Sequence, residues 1–218
     1  MKLLAQCLLV CIIELMENNL YSLFKKFNTD KLGMGYAEIY ESYFNSLREK
    51  KLNILEIGVS RGASIKAWSE YFINSTIVGI DIDKVDEKIF NINKKNIGIH
   101  QGSQSDKVFL DKIINEYKKF DIIIDDGSHY PKDVIKSFNL LFPSLETNGF
   151  YFVEDMQTSY IHFFHGNPFD LKYANTHMNF FKQLTDSLNY QEIANPIYRK
   201  KTYDSKICSI SFYHNLVV

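Results

Sequence analysis

The chain has 218 residues, of which 45% are hydrophobic and 15% aromatic, so composition excludes a disordered chain and indicates one folded protein with a substantial core. Its net charge of -1 gives no reason to expect nucleic acid as a partner. The three cysteines, Cys7, Cys11 and Cys208, form no Cys-x-x-Cys pair, so we expect a reducing, cytoplasmic setting.

The first fifty residues predict a helical extension. Met1–Met16 is strongly apolar but too short to cross a bilayer, so a docking helix or an oligomer contact is favoured over stable membrane insertion. Apolar side chains share one helical face between Tyr36 and Leu47. We therefore expect an N-terminal extension, residues 1–50, and a main domain, residues 51–218, within a single globular protein.

From residue 53 the chain alternates between strand and helix patterns. The predicted strands are Asn53–Ile57, Thr76–Ile80, Ile97–His100, Asp121–Ile124 and Phe150–Val153. The predicted helices between them are Ala63–Phe72, in which Trp68 is a core residue, Asp106–Tyr117 and Lys132–Leu141. Asn148-Gly149 predicts a turn before the last of these strands.

The C-terminal part predicts a helix from about Asp170 to Leu188 and then two extended runs, Tyr190–Tyr198 and Ile207–Tyr213, that could form a hairpin at the sheet edge. Taken with the βαβα alternation, this predicts an α/β fold. The expected architecture is a doubly wound, Rossmann-like, mostly parallel seven-stranded sheet with helices on both faces.

Acidic side chains follow two of the predicted strands. Asp125 and Asp126 precede Gly127-Ser128-His129, and Glu154 and Asp155 follow the other apolar run. Open α/β sheets bind ligands at the carboxyl ends of their strands, and carboxylates gathered there repel one another unless a cation intervenes. The pattern favours a hard divalent metal beside His129 as a candidate base. The alternatives are that Asp125 caps the following turn and that His129 is a hydrogen-bonded turn residue.

A second candidate site lies at the first strand-to-helix turn. Gly58 and Gly62 allow the backbone to approach a ligand closely, and the following helix offers backbone N–H groups to an anion. Two glycines instead of three argue against a dinucleotide, and a plain tight turn remains an alternative.

Polar residues also follow the next two strands. Asp81 could accept hydrogen bonds from a ribose diol or, alternatively, cap the next helix. Gln104 and Ser105 could contact an adenine edge, while Ser105 could equally cap the helix from Asp106.

Together these motifs resemble those of class I S-adenosylmethionine (SAM)-dependent methyltransferases. More narrowly, the chain resembles the metal-dependent O-methyltransferases of macrolide and rhamnose sugars and the related cephalosporin hydroxylase-like group. The residues that carry the resemblance span about 29 to 166 and include Thr29-Asp30-Lys31, Gly35-Tyr36, Leu55-Glu56-Ile57-Gly58-Val59, Val78-Gly79-Ile80-Asp81-Ile82, Gln104-Ser105-Asp106, Asp125-Asp126-Gly127-Ser128-His129 and Glu154-Asp155 with Thr158-Ser159-Tyr160.

The resemblance implies a role for each of these positions. Asp126, Glu154 and Asp155 correspond to Mg²⁺ ligands and His129 to the general base. The residues expected to bind SAM are Tyr36, Glu56, Gly58, Asp81, Gln104, Ser105 and Asp125. The expected function is therefore SAM- and Mg²⁺-dependent O-methylation of a hydroxyl on a sugar or glycoside-like small molecule, by a homo-oligomer.

Two points stay open at this stage. Mn²⁺ or Ca²⁺ would also suit a site built from oxygen ligands. The alternative function is a metal-dependent hydrolase or hydroxylase that uses the same acid and histidine cluster without SAM. His162 and His165 could line an acceptor pocket, although aromatic packing in this segment explains them equally well.

Overall fold

The computed structural model describes residues 19–86 and 96–218, and the element labels below count only those residues. They form two compact units, one that ends at Ser103 and one that begins at Gln104. The predicted apolar helix Met1–Met16, with Cys7 and Cys11, lies outside the described residues. No helix within the described ranges has the length and apolarity needed to span a bilayer. The domain boundary expected at residue 50 stays a prediction.

Within residues 19–86 and 96–103, the N-terminal unit contains three α-helices and a parallel three-stranded ladder. Its helices are α1 (Leu20–Phe27), α2 (Tyr36–Phe44) and α3 (Ala63–Tyr71), with short 3-10 helices at Asp30–Leu32 and Asn45–Leu47. Its strands are β1 (Asn53–Ile57), β2 (Thr76–Asp81) and β3 (Ile97–Gln101), which pair in the order β3-β2-β1. Strands β1 and β2 are buried along nearly their whole length, as expected for the apolar runs of a parallel sheet.

An aromatic cluster forms the helical side of this unit. Trp68 of α3 is fully buried, and its ring packs edge-on against Phe24 and Tyr40 at centroid distances of 5.1 Å each. Phe44 packs against the same indole at 5.9 Å. The predicted core position of Trp68 is confirmed, and the cluster joins α1, α2 and α3 through ring contacts.

The C-terminal unit contains four helices and four strands. Its helices are α4 (Lys107–Tyr117), α5 (Pro131–Leu141), α6 (His177–Gln183) and α7 (Thr185–Leu188), with 3-10 helices at Phe142–Ser144, Met156–Tyr160, His162–Phe164 and Tyr190–Glu192. Its strands are β4 (Phe120–Asp125), β5 (Leu145–Val153), β6 (Phe212–Tyr213) and β7 (Leu216–Val217), in the order β4-β5-β7-β6. The β4 and β5 strands are parallel, whereas β6 and β7 form an antiparallel hairpin. The predicted α/β fold with seven mostly parallel strands is confirmed.

The predicted Asn148-Gly149 turn lies inside β5 instead of preceding it. Leu145 pairs with Phe120 and Phe150 pairs with Ile122, so residues 146–149 protrude opposite the single residue between them. Asn148 has a positive φ of 64°, and a Cβ on Gly149 would lie 2.8 Å from the carbonyl oxygen of Asp121. The turn signal was therefore real, but it marks a bulge that only glycine allows to close against β4.

Two C-terminal predictions need correction. The helix expected from about Asp170 begins only at His177, because the Thr176 side chain caps it by accepting the N–H of Asn179 at 3.2 Å. The extended run predicted at Tyr190–Tyr198 is wrong, since Asn195 accepts the N–H of Ile197 at 3.0 Å and makes a local turn. The edge hairpin instead forms within residues 212–217.

Candidate functional site

The carboxyl ends of β4 and β5 bring together a cluster of Asp126, His129 and Asp155. One ligand atom from each of these side chains lies within 4.8 Å of the others. The Nε2 atom of His129 is 3.9 Å from Oδ1 of Asp126 and 3.7 Å from Oδ2 of Asp155. The register explains the convergence, because Asp125 pairs with Val153 and the parallel strands therefore end side by side.

The cluster suits a hard divalent cation. Asp126 and Asp155 offer carboxylate oxygens, the ligands preferred by Mg²⁺, Mn²⁺ and Ca²⁺, and both are partly exposed and therefore open to an ion. Two negative groups held this close repel each other, so a cation between them relieves a real electrostatic cost. The imidazole of His129 faces the same space.

Glu154 does not belong to this three-residue cluster. Its side chain is 3% exposed, and its backbone N–H donates to the carbonyl oxygen of Asp125 at 2.9 Å, which extends the β4–β5 ladder by one bond. The role of Glu154 as a third metal ligand stays a prediction.

A buried hydrogen-bond network lies directly beneath the cluster. Nε2 of Gln104 donates to Oδ1 of Asp125 at 3.0 Å, and the Ser137 hydroxyl donates to Oδ2 at 2.5 Å. On its other side, Oε1 of Gln104 accepts the backbone N–H of Ser128 at 2.6 Å. Burial raises the pKa of Asp125 to about 6, and the hydrogen bond from Ser137 opposes that rise. Gln104 and Asp125, both expected to bind SAM, thus contact each other and hold the loop that carries His129.

The alternatives for neighbouring residues resolve differently. The backbone N–H of Gly127 lies 3.4 Å from Oδ1 of Asp125, so the expected capping role is present as one weak contact within the larger network. Ser105 does not cap the following helix: Oδ1 of Asp106 accepts the N–H groups of Val108 at 2.8 Å and Phe109 at 3.3 Å. That alternative was wrong because the carboxylate lies one residue closer to the helix. A SAM contact for Ser105 stays a prediction.

The glycine turn of the N-terminal unit is held by Asp81. Gly58 and Gly62 have φ values of 89° and 71°, in the left-handed region that favours glycine. Oδ2 of Asp81 accepts the backbone N–H groups of Val59 and Ser60, each at 2.8 Å. Oδ1 of Asp81 accepts the backbone N–H of Asp83. The carboxylate expected to bind ribose thus also fixes the turn in front of it.

The other two residues of this unit that are expected to bind the cofactor are buried. Glu56 is fully buried, accepts the Ser64 hydroxyl at 2.8 Å and lies 3.4 Å from Nζ of Lys31, itself 1% exposed. Tyr36 is fully buried and its ring packs edge-on against Tyr40 at 6.5 Å. Sequence analysis missed Lys31 as the counter-ion of Glu56, although a lysine within a motif of the resemblance was a usable signal. The SAM roles of Tyr36 and Glu56 stay predictions.

An aromatic cluster lies on one side of His129. Its imidazole packs edge-on against Phe164 at 6.1 Å, and Tyr130 contacts both Phe164 at 5.6 Å and His165 at 5.1 Å. The aromatic packing considered for His165 is therefore observed. Phe163 is exposed beside these rings, at 74%.

Comparison with known proteins identifies relatives of this chain. No protein-family model matches it. The mycinamicin VI 2''-O-methyltransferase of Micromonospora griseorubida is 33% identical over 208 residues, which are 91% of this chain and 51% of the relative. The demethylmacrocin O-methyltransferase of Streptomyces fradiae is 33% identical over 81% of this chain and 46% of the relative.

A solved structure gives the same result. The crystal structure of MycE methyltransferase from the mycinamycin biosynthetic pathway, in complex with Mg and SAH, is 32% identical with a TM-score of 0.85. The match covers 91% of this chain and 53% of that one. The chain spans about half the length of the curated relatives it matches. It is thus a homologue of macrolide and sugar O-methyltransferases with the class I SAM-dependent methyltransferase fold, and the resemblance predicted from its motifs is confirmed.

Proposed function

We propose that this chain catalyses SAM- and Mg²⁺-dependent methylation of a hydroxyl group on a sugar or glycoside-like small molecule. The observation that carries the proposal is the convergence of Asp126, His129 and Asp155 at the ends of β4 and β5. It is supported by relatives named as sugar O-methyltransferases and by a structural neighbour in complex with Mg and SAH.

Asp126 and Asp155 would hold the cation, with Glu154 as the predicted third ligand. The bound cation would withdraw electron density from an acceptor hydroxyl and make its proton more acidic. The two carboxylates place negative charge next to the ring, because their oxygens lie 3.9 and 3.7 Å from Nε2 of His129.

His129 would receive the proton at Nε2, the atom that faces both carboxylates. Imidazole is the side chain that most readily exchanges a proton near neutral pH. General-base assistance of this kind is worth about 10²–10⁴-fold in rate. The ring of Phe164 packs edge-on against this imidazole and would help to hold it in this orientation.

SAM would supply the methyl group from a positively charged sulfur. In the N-terminal unit, Asp81 holds the Val59 and Ser60 N–H groups, so the Gly58 turn would bring the backbone close to SAM, with Asp81, Glu56 and Tyr36 as the expected side-chain contacts. The expected contacts in the C-terminal unit are Gln104, Ser105 and Asp125.

The acceptor is proposed as a small molecule, because the exposed ring of Phe163, which packs against Phe164 beside His129, suits the apolar face of a sugar or its aglycone. A homo-oligomer and a cytoplasmic setting stay proposals from the sequence. The alternative, a metal-dependent hydrolase or hydroxylase without SAM, is not favoured, because the curated relatives at 31–33% identity are named O-methyltransferases.

Two measurements test the proposal. Thermal unfolding with SAM, S-adenosylhomocysteine or NAD, each with and without Mg²⁺, should show stabilisation by the first two ligands only. Transfer of an isotope-labelled methyl group from SAM to mixtures of glycosides, read by mass spectrometry, should require Mg²⁺ and identify the acceptor class. Stabilisation by metal alone, with no SAM effect and no transfer, would favour the hydrolase or hydroxylase.

Variants separate the roles within the cluster. His129→Ala should retain SAM binding and lose about 10²–10⁴-fold in turnover. Asp126→Asn should lose activity, and added Mg²⁺ should no longer stimulate it. His214→Ala is the matched control, because His214 is an exposed histidine. An unchanged turnover number in His129→Ala would remove that residue from the role of base.

A further inference from the structure

Two members of the cluster have an uncommon backbone conformation. His129 and Asp155 have φ values of 59° and 56°, in the left-handed region of backbone conformation that residues other than glycine rarely adopt. Such conformations persist only where the surrounding structure holds them. The direction of both side chains toward the cluster therefore depends on contacts that fix these two peptide segments.

One buried hydroxyl contacts both segments. Thr158, which is 3% exposed, places Oγ1 2.7 Å from the carbonyl oxygen of Asp155 and 3.2 Å from that of His129. The first contact is local, since the two residues are three positions apart. The second joins positions 29 apart in sequence and links the loop after β4 to the loop after β5. A hydroxyl has one proton, so the two carbonyl oxygens share it.

A buried histidine lies behind this hydroxyl. His177, at the start of α6, is fully buried, and its Nε2 is 3.3 Å from Oγ1 of Thr158. Because the hydroxyl proton is directed at the carbonyl oxygens, Oγ1 is an acceptor toward the ring, and Nε2 carries the hydrogen. Burial lowers the pKa of His177 to about 4, so the ring is neutral at physiological pH. Its Nδ1 has no hydrogen-bond partner among the described residues, which fits an atom without a proton.

The start of α6 is fixed independently. The N–H of Met178 donates to Oγ of Ser159 at 3.1 Å, and Ser159 is fully buried. Ser159 therefore attaches the same helix to the same 3-10 segment as Thr158 does, without any contact to the carbonyl oxygens of His129 or Asp155 in the hydrogen bonds of the described residues.

We propose that Thr158 and His177 are positioning residues that hold His129 and Asp155 in the geometry needed to bind the cation and accept the proton. The inference rests on the proposed function, because it assigns the support of the same site. His177 orients the Thr158 hydroxyl, and that hydroxyl in turn fixes the two peptide segments from which the side chains of His129 and Asp155 extend. Neither residue touches the cation or the acceptor.

Mn²⁺ binding provides the test, because free Mn²⁺ is measured by electron paramagnetic resonance without any need for turnover. Thr158→Val preserves the shape and removes the hydroxyl, and it should weaken Mn²⁺ binding about 10–100-fold. Thr158→Ser restores the hydroxyl and should bind Mn²⁺ like the unsubstituted chain. His177→Phe should weaken binding in the same direction, and His177→Gln, which keeps an N–H donor, should recover it.

Ser159→Ala is the matched control. It removes a buried hydroxyl next to Thr158 and should lower the melting temperature while leaving Mn²⁺ affinity unchanged. Wild-type affinity in Thr158→Val, or an equal loss in Ser159→Ala, would overturn the inference while leaving the proposed function in place. Absence of Mn²⁺ binding in the unsubstituted chain would overturn the proposed metal site and the inference together.

Discussion

Replacement of Lys31 by methionine should destabilise the protein strongly, because Lys31 forms a buried ion pair. Its Nζ lies 3.4 Å from Oε1 of Glu56, and the two side chains are 1% and 0% exposed. At that distance and an effective dielectric constant of about 20, the attraction is about 5 kcal/mol. Loss of one partner from such a pair typically costs about 3–5 kcal/mol, because the other charge stays buried. We therefore expect Lys31→Met to lower the free energy of unfolding by about 3–5 kcal/mol.

Urea denaturation at neutral pH measures this change. The double variant Lys31→Met with Glu56→Gln should be more stable than Lys31→Met alone, since it removes the buried charge as well. Lys26→Met is the matched control: its pair with Glu70 is 57% and 31% exposed, so its loss should cost less than about 1 kcal/mol. Similar losses of stability in Lys31→Met and Lys26→Met would contradict the strong attraction expected in the buried pair.

Two further predictions concern stability. Trp68→Ala should lower the free energy of unfolding by about 3–5 kcal/mol, because it opens a cavity among the rings of Phe24, Tyr40 and Phe44. Chemical denaturation measures this change, and a loss below about 1 kcal/mol would contradict the packing described. Burial, and to a lesser degree His129, lowers the pKa of His177 to about 4, whereas its pKa in the unfolded chain is about 6.5. Below about pH 6.5 the unfolded chain therefore binds more protons than the folded one. This pKa difference contributes about 3 kcal/mol to the free energy of unfolding above about pH 6.5, and the contribution is lost as the pH falls toward 4. His177→Gln should therefore lose less stability than the unsubstituted protein across that range. Equal pH dependence of the two proteins would rule out His177 as the cause.

Strands β1, β2 and β4 were predictable because each is a short apolar run that is buried along most of its length. The predicted strands Asn53–Ile57 and Asp121–Ile124 lie within β1 and β4 as expected, and the acids that follow β4 and β5 converge because parallel strands end at one edge. Local chemistry also predicted a turn at Asn148-Gly149, but its place inside β5 depends on pairing with β4, which sequence spacing does not determine.

The contacts that sequence analysis missed are tertiary. Lys31 meets Glu56 across 25 positions, and Thr158 reaches His129 across 29. Neither pair has a periodic signature, because helix and strand periods report only which face a residue occupies. His177 belonged to no recognisable constellation in the sequence, and only the placement of α6 brings its ring to Thr158.

Asp126 and Asp155 are proposed to bind one divalent cation beside the imidazole of His129. A crystal grown with Mn²⁺ and S-adenosylhomocysteine, with anomalous diffraction collected at the manganese edge, tests it directly. We expect a single anomalous peak for manganese at about 2.0–2.6 Å from oxygens of both carboxylates, next to Nε2 of His129. A peak elsewhere in the molecule, or no peak at these residues, would contradict it.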